Sequence, residues 1–278
     1  MGGTKSLPSG NIWYITADKK GREWIFTDKG THIYGTKFTT PIPFKWFRQV
    51  GNTIYLATAD GRVAVFDETR NHISMIPMPE GVTKINELKN TGYQLLIATN
   101  IGVVVYNPRT FKSEVVSVQN PNQPVAEVKK IYVDSKDQLW AFTDGMGVTL
   151  INPNTLEKKW LFADQENPAL RTVSEKYFIM EDEHNTLWMI PNGGTFCYYD
   201  RAKKELVPYV LQSNSQGNAS IPKITKYVIS DQKILWATGI HDLTQINFKY
   251  HEYTLKAKYA PSHLTIIVTI GMDLPLDI

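Results

Sequence analysis

Six times along the 278-residue chain, a large residue heads a short apolar strand that turns tightly into a second, alternating strand. The heads are Trp24, Tyr55, Leu96, Trp140, Trp188 and Trp236. In five copies the second strand closes on Asp or Asn. The distance is 12 residues for Tyr55 to Asp67, Trp140 to Asn152 and Trp188 to Asp200, and 11 for Leu96 to Asn107 and Trp236 to Asn247. Successive heads lie 31, 41, 44, 48 and 48 residues apart. A hairpin of nearly fixed length between segments of varying length marks one structural unit repeated, with loops of different size between the copies.

Each copy carries two more strands. Upstream of the hairpin lies a run such as Val128–Val133, ending in the turn Asp134-Ser135-Lys136-Asp137; the pattern recurs from Ile12 to Asp18 and from Tyr177 to Asp182. Downstream, Asn107-Pro108 and Asn152-Pro153 mark turns that lead into strands such as Phe111–Val118, Leu156–Phe162 and Leu206–Val210. Asp or Asn before Pro suits a tight turn, because proline presets φ and the side chain bonds nearby backbone. Four antiparallel strands, here named A to D, in roughly 42 residues match a propeller blade.

The expected fold is therefore an all-β propeller of four-stranded antiparallel blades, with at least six blades, as an incomplete or truncated seven-bladed ring. Residues 1–10 read as an extension, 11–257 as the propeller and 258–278 as an atypical tail. In a shifted frame the tail can encode Asn-Tyr-Trp-Tyr-Gly, the makings of a seventh blade; in frame, Leu264–Ile270 reads as a closing strand. The six heads are expected to be core wedged between blades rather than a ligand platform.

Bulk properties narrow the function. A net charge of +3 with scattered Lys and Arg gives no nucleic-acid footprint. Cys197 stands alone and reads as a core thiol. The opening MGGTKSLPSG lacks the apolar stretch of a signal peptide; its Gly2 and Ser6 fit a myristoylation pattern but read as a fragment start. Leu264–Ile270 is far shorter than the ~20 apolar residues of a spanning helix, so no membrane contact by this segment is expected.

No catalytic motif stands out. The six histidines are scattered, and neither a nucleophile elbow nor a P-loop is present. Glu181-Asp182-Glu183-His184 could hold a cation, but it falls in a repeated turn. The expectation is a non-enzyme without cofactor or metal. Strand alternation puts the B–C turns and D–A loops on one face, where long loops offer binding residues. The candidates there are Trp46, Arg48, Asn100, Asp144, Met146, Arg171, Asn192 and His241. Trp46, Asp144, Asn192 and His241 combine a flat aromatic surface with polar groups suited to sugar hydroxyls. Asp144, Asn192 and Gly193 read equally well as turn formers. Arg48, Lys84, Lys129, Lys176 and Lys226 recur near inner-strand starts, as a charged ring or as solvated side chains.

The series Ile131, Asp134, Leu139, Trp140, Thr143, Gly147 and Asn152 resembles the two-component regulator propeller repeat. The resemblance covers about residues 11 to 255; copies two and three lack the Trp and the Asp turn. It implies the periplasmic sensor region of a hybrid two-component regulator of Bacteroidetes type. The ligand implied is a small molecule such as an oligosaccharide. The expected neighbours are a second propeller or an immunoglobulin-like module of the parent protein, with a homodimer as a further option. The rival readings are a protein-interaction scaffold and a propeller polysaccharide lyase or hydrolase.

Overall fold

The computed structural model describes residues 10–118, 127–143, 147–162, 178–182, 184–191, 196–208, 211–213, 217–219, 226–229, 234–238, 243–247, 252–258 and 265–271. Blade 1 comprises β1–β4 (Ile12–Ala17, Glu23–Thr27, Gly30–Ile33, Thr39–Thr40) and blade 2 comprises β5–β8 (Trp46–Val50, Thr53–Ala57, Val63–Asp67, His72–Ile76). Blade 3 is β9–β12 (Ile85–Asn90, Leu95–Thr99, Gly102–Asn107, Lys112–Val116) and blade 4 is β13–β16 (Val128–Val133, Leu139–Thr143, Val148–Ile151, Lys158–Leu161). Blade 5 is β17–β20 (Phe178–Glu181, Leu187–Ile190, Cys197–Asp200, Glu205–Pro208). These five sheets are four-stranded, with each strand beside its sequence neighbour. After a hairpin, β21–β22 (Leu211–Ser213, Gly217–Ala219), comes blade 6 with three strands, β23–β25 (Lys226–Ile229, Ile234–Thr238, Leu243–Asn247). A last hairpin pairs β26 (Glu252–Lys258) with β27 (Thr265–Gly271). The described residues contain no helix.

The chain divides into two compact units, residues 1–133 with 151–157, and 134–150 with 158–278. In the first unit the blades stack face to face. Strands of period two send alternate side chains to opposite faces. Ile54 and Leu56 of β6 join Trp24, Phe26, Phe44 and Phe66 in one core, while Tyr55 and Ala57 join Leu88, Leu95, Ile97 and Tyr106 in the next. Both faces are covered, which is why the second strands read as nearly unbroken apolar runs.

Three turn devices repeat. In blades 1, 4 and 5 an Asp clasps the indole six residues on: Asp18–Trp24 at 3.0 Å, Asp134–Trp140 at 3.1 Å and Asp182–Trp188 at 2.8 Å. The other carboxylate oxygen of Asp134 accepts the backbone N–H groups of Lys136 and Gln138, both at 2.9 Å. Asp182 treats His184 and Thr186 likewise, and Asp18 treats Lys20 and Arg22. In blades 2 to 5 the residue that closes the third strand caps the next turn: Asp67, Asn107, Asn152 and Asp200 accept N–H groups two and three residues on. The residue four positions after each cap is left-handed: Asn71, Phe111, Leu156 and Lys204, with φ of 51°, 58°, 61° and 55°. At the β10–β11 turn, Gly102 has φ +132°, and a Cβ there would lie 2.4 Å from the Val116 carbonyl oxygen.

Five of the six heads are buried, as expected. Trp236 is not: it is 39% exposed. The position six residues before it holds Ser230 where blades 1, 4 and 5 have the clasping Asp, and residues 230–233 lie outside the described residues.

Candidate ligand-binding face

The clearest part of the B–C and D–A face belongs to the first unit. Here the turns meet the loops that enter the next inner strand. Asn100, in the β10–β11 turn, accepts the N–H groups of Thr83 and Lys84 at 2.9 and 3.1 Å and donates to the Gly81 carbonyl at 2.9 Å. Its amide is thus spent on fastening the loop into β9. Among the predicted binding residues, Asn100 is a clamp.

Arg48 is similarly occupied. Its Nε donates to Leu88 O at 2.7 Å and its Nη1 to Phe47 O at 3.0 Å, joining the inner strands of blades 2 and 3. Further cross-blade bonds follow: Gln49 accepts Lys19 N–H at 2.9 Å, Asn86 donates to Val128 O at 2.8 Å, and Glu87 accepts Ile131 N–H at 2.7 Å. These side chains span inner strands that neighbour one another in space but not in sequence. Trp46 packs partly buried against the core shared by blades 2 and 3.

Among the described residues, two features remain open to a ligand. Lys84 and Lys129 converge on Glu127 at 2.6 and 2.9 Å, with the Asn86 amide at 2.7 Å. Burial opposes ionisation of Glu127, but these three donors overcome it and hold its carboxyl at about 2. The group is a fixed anion under two ammonium groups, with Lys84 half exposed. Nearby in sequence to Trp46, Lys45 Nζ lies 5.7 Å from the centre of the exposed Trp13 ring, within cation–π range. Trp13 was not among the predicted residues; it stands at the bulge of β1, the place that Asn86 takes in β9.

In each unit the A–B and C–D turns hold ion pairs. In the second unit Arg201 reaches Asp134 at 3.2 Å and Glu181 at 2.9 Å, while Glu181 also accepts the Ser135 N–H and hydroxyl. Asp182 caps its own turn. Thus Glu181 and Asp182, weighed as cation ligands, are used in joining and shaping blades. In the first unit Arg22 bonds Asp18 at 2.6 Å and pairs with Glu68. Cys197 is buried, its thiol pushed up by burial, and its Sγ lies 3.5 Å from Met189 O. Burial likewise pushes the His32 imidazole down; its Nδ1 faces the Thr39 hydroxyl at 2.7 Å.

Of the eight predicted binding residues, Trp46, Arg48 and Asn100 are placed as above, and Asp144, Met146, Arg171, Asn192 and His241 lie outside the described residues. Of the recurring cations, Lys176 also lies outside them.

No protein-family profile matches the sequence, and no curated protein matches it. Solved structures do. The extracellular domain of a one-component system protein from B. thetaiotaomicron is 14% identical, with a TM-score of 0.56 over 92% of this chain and 40% of that one. That of a hybrid two-component system protein from the same organism is 13% identical, with a TM-score of 0.52 over 89% of this chain and 35% of that one. A virginiamycin B lyase from Staphylococcus aureus is 12% identical, with a TM-score of 0.54 over 94% of this chain and 93% of that one. This chain thus spans well under half the length of the two extracellular domains. With these proteins it shares its fold, and the repeated sheets are blades of a β-propeller.

Proposed function

We propose that the chain is the extracytoplasmic ligand-sensing propeller of a hybrid two-component regulator, a non-catalytic binder whose ligand class is an oligosaccharide. The observation that carries the reading is the use made of the inner-strand polar groups. Arg48, Asn86 and Glu87 are tied across blades, and Glu127 is held as a fixed anion. A general acid must hold a proton near working pH, which Glu127 does not. Among the described residues, Trp13 with Lys45 and the Lys84 ammonium offer stacking and hydrogen bonds to a polar ligand. The Asp–Trp clasp and the fold likeness to two extracellular domains support the sensor assignment.

Thermal-shift measurements against an oligosaccharide panel test it. A ligand at about 100 times its Kd adds about 2.7 kcal/mol of stability, a rise of several degrees. Trp13→Ala should abolish the rise without lowering the unliganded Tm by more than a degree or two. No shift with any sugar would remove the oligosaccharide from the reading.

A second reading is favoured by the lyase match, which covers nearly all of both chains. Incubation with quinupristin, followed by mass spectrometry, decides it. Ring-opened product would make the protein a lyase; unchanged antibiotic at high protein concentration would dispose of that activity.

A further inference from the structure

Where β9 of blade 3 meets β13 of blade 4, three donors converge on one carboxylate. Lys84 Nζ and Asn86 Nδ2 reach Glu127 Oε1 at 2.6 and 2.7 Å, and Lys129 Nζ reaches Oε2 at 2.9 Å. The donors stand on fixed backbone. Asn100 accepts the Lys84 N–H through its side chain at 3.1 Å and donates its own N–H to the Lys84 carbonyl at 3.3 Å. Asn86 occupies the bulge of β9, where the ladder steps from Glu87–Ala98 to Ile85–Thr99 and leaves it unpaired. A bulge re-aims the side chain it carries. Here the amide turns to blade 4, where it also donates to Val128 O at 2.8 Å.

Glu127 is held differently from the carboxylate beside it. Glu87, at the same seam, accepts the backbone N–H of Ile131 at 2.7 Å and so fastens β13 to β9. The bonds of Glu127 among the described residues are all to side chains. With Asn86–Val128 and Glu87–Ile131 joining the strands, its carboxylate can leave without freeing any backbone group. Water reaches the cluster, since the Lys84 side chain is half exposed and that of Glu127 a quarter. Charge-assisted bonds of this kind serve any carboxylate of the right reach, whether it belongs to the chain or to a ligand.

We propose that Lys84, Asn86 and Lys129 form a receptor for the carboxylate of a small ligand, with Glu127 as its built-in occupant, displaced when the ligand binds. One anion replaces another, so the partly buried ammonium groups are never left without a counter-charge. The ligand is a simple organic acid or a sugar acid. The site shares Lys84 with the oligosaccharide set proposed above but does not rest on that reading, and failure of neutral sugars to bind would leave it standing.

Ligand-observed NMR titrations with acetate and D-glucuronate at fixed ionic strength test this on the wild type, Glu127→Gln and Lys84→Met. As an internal competitor Glu127 lowers the apparent affinity, so Glu127→Gln should tighten acetate binding about tenfold or more. Lys84→Met should bind both acids more weakly than the wild type. Glucuronate bound well beyond acetate would support the site with a sugar acid as its ligand, and equal binding would support it with a simple organic acid. A Glu127→Gln protein that binds acetate no more tightly than the wild type, a Lys84→Met protein that binds undiminished, or no binding of either acid to any form would each overturn the proposal. Should Glu127→Gln fail to fold, Lys84→Met and Lys129→Met in the otherwise native chain decide: each must weaken both acids, and undiminished binding by either variant refutes the receptor.

Discussion

At the scale of single residues, Asp134 shows how much one carboxylate can hold. It accepts two backbone N–H groups of its own turn, the indole N–H of Trp140, and an Arg201 guanidinium from blade 5. Asp134→Ala would leave a buried indole N–H and a half-paired arginine, and should cost about 3–5 kcal/mol in denaturant unfolding. Asp134→Asn keeps one accepting oxygen for the turn and should cost about half as much. Equal losses would mean that the two turn bonds contribute little beside those to the indole and the guanidinium. Phe111 presents the opposite case. It is left-handed at φ 58° and 80% exposed, so the bulky ring is strained and gains little burial. Blade 2 places Asn71 at the same point of the turn. Phe111→Asn should therefore stabilise by about 0.5–1 kcal/mol, read as a rise in Tm.

Elements depend on where backbone approaches backbone. Gly102 lies in such a place, its α-carbon facing the Val116 carbonyl at a distance that excludes a methyl group. Since the obstacle is backbone and φ is positive, Gly102→Ala should cost more than about 2 kcal/mol. Gly92, in the β9–β10 turn, has open space for 4 Å around the point a Cβ would occupy, and Gly92→Ala should fall within about 0.5 kcal/mol of the wild type. Much of this was legible in the sequence. The β10–β11 turn, where the Thr99 hydroxyl donates to the Gly102 carbonyl at 2.8 Å, the Asx caps and the Asp–Trp spacing all act within seven residues, so the residues that make each bond stand close together in the chain. Arg48 to Leu88 spans 40 positions, and no local pattern announces it. That is why Arg48 and Asn100 read as ligand contacts: a polar side chain on the binding face looks the same in sequence whether its partner is a ligand or a neighbouring loop. The rule for the heads also reached its limit at Trp236, which is 39% exposed.

For the whole molecule, the acid limb of stability carries a signature of Glu127. Its carboxyl is held at about 2 against an ordinary 4.5, so ionisation favours the folded chain. That contribution is complete above the unfolded value and is lost as pH falls from about 4.5 towards 2. Glu127→Gln should flatten the stability profile in that window and leave the slope above pH 5 unchanged; an unaltered acid limb would show that Lys84 and Lys129 do not hold the anion in solution. The Asx caps have a consequence of a different kind. Because Asp67, Asn107, Asn152 and Asp200 each satisfy the donors of their own turn, a tandem gene duplication that copies a repeat carries its capping groups along with it. The newcomer imports no orphan amides at those corners, so propellers of this design can lengthen or shorten by whole units, and selection is left to work on what joins one unit to the next.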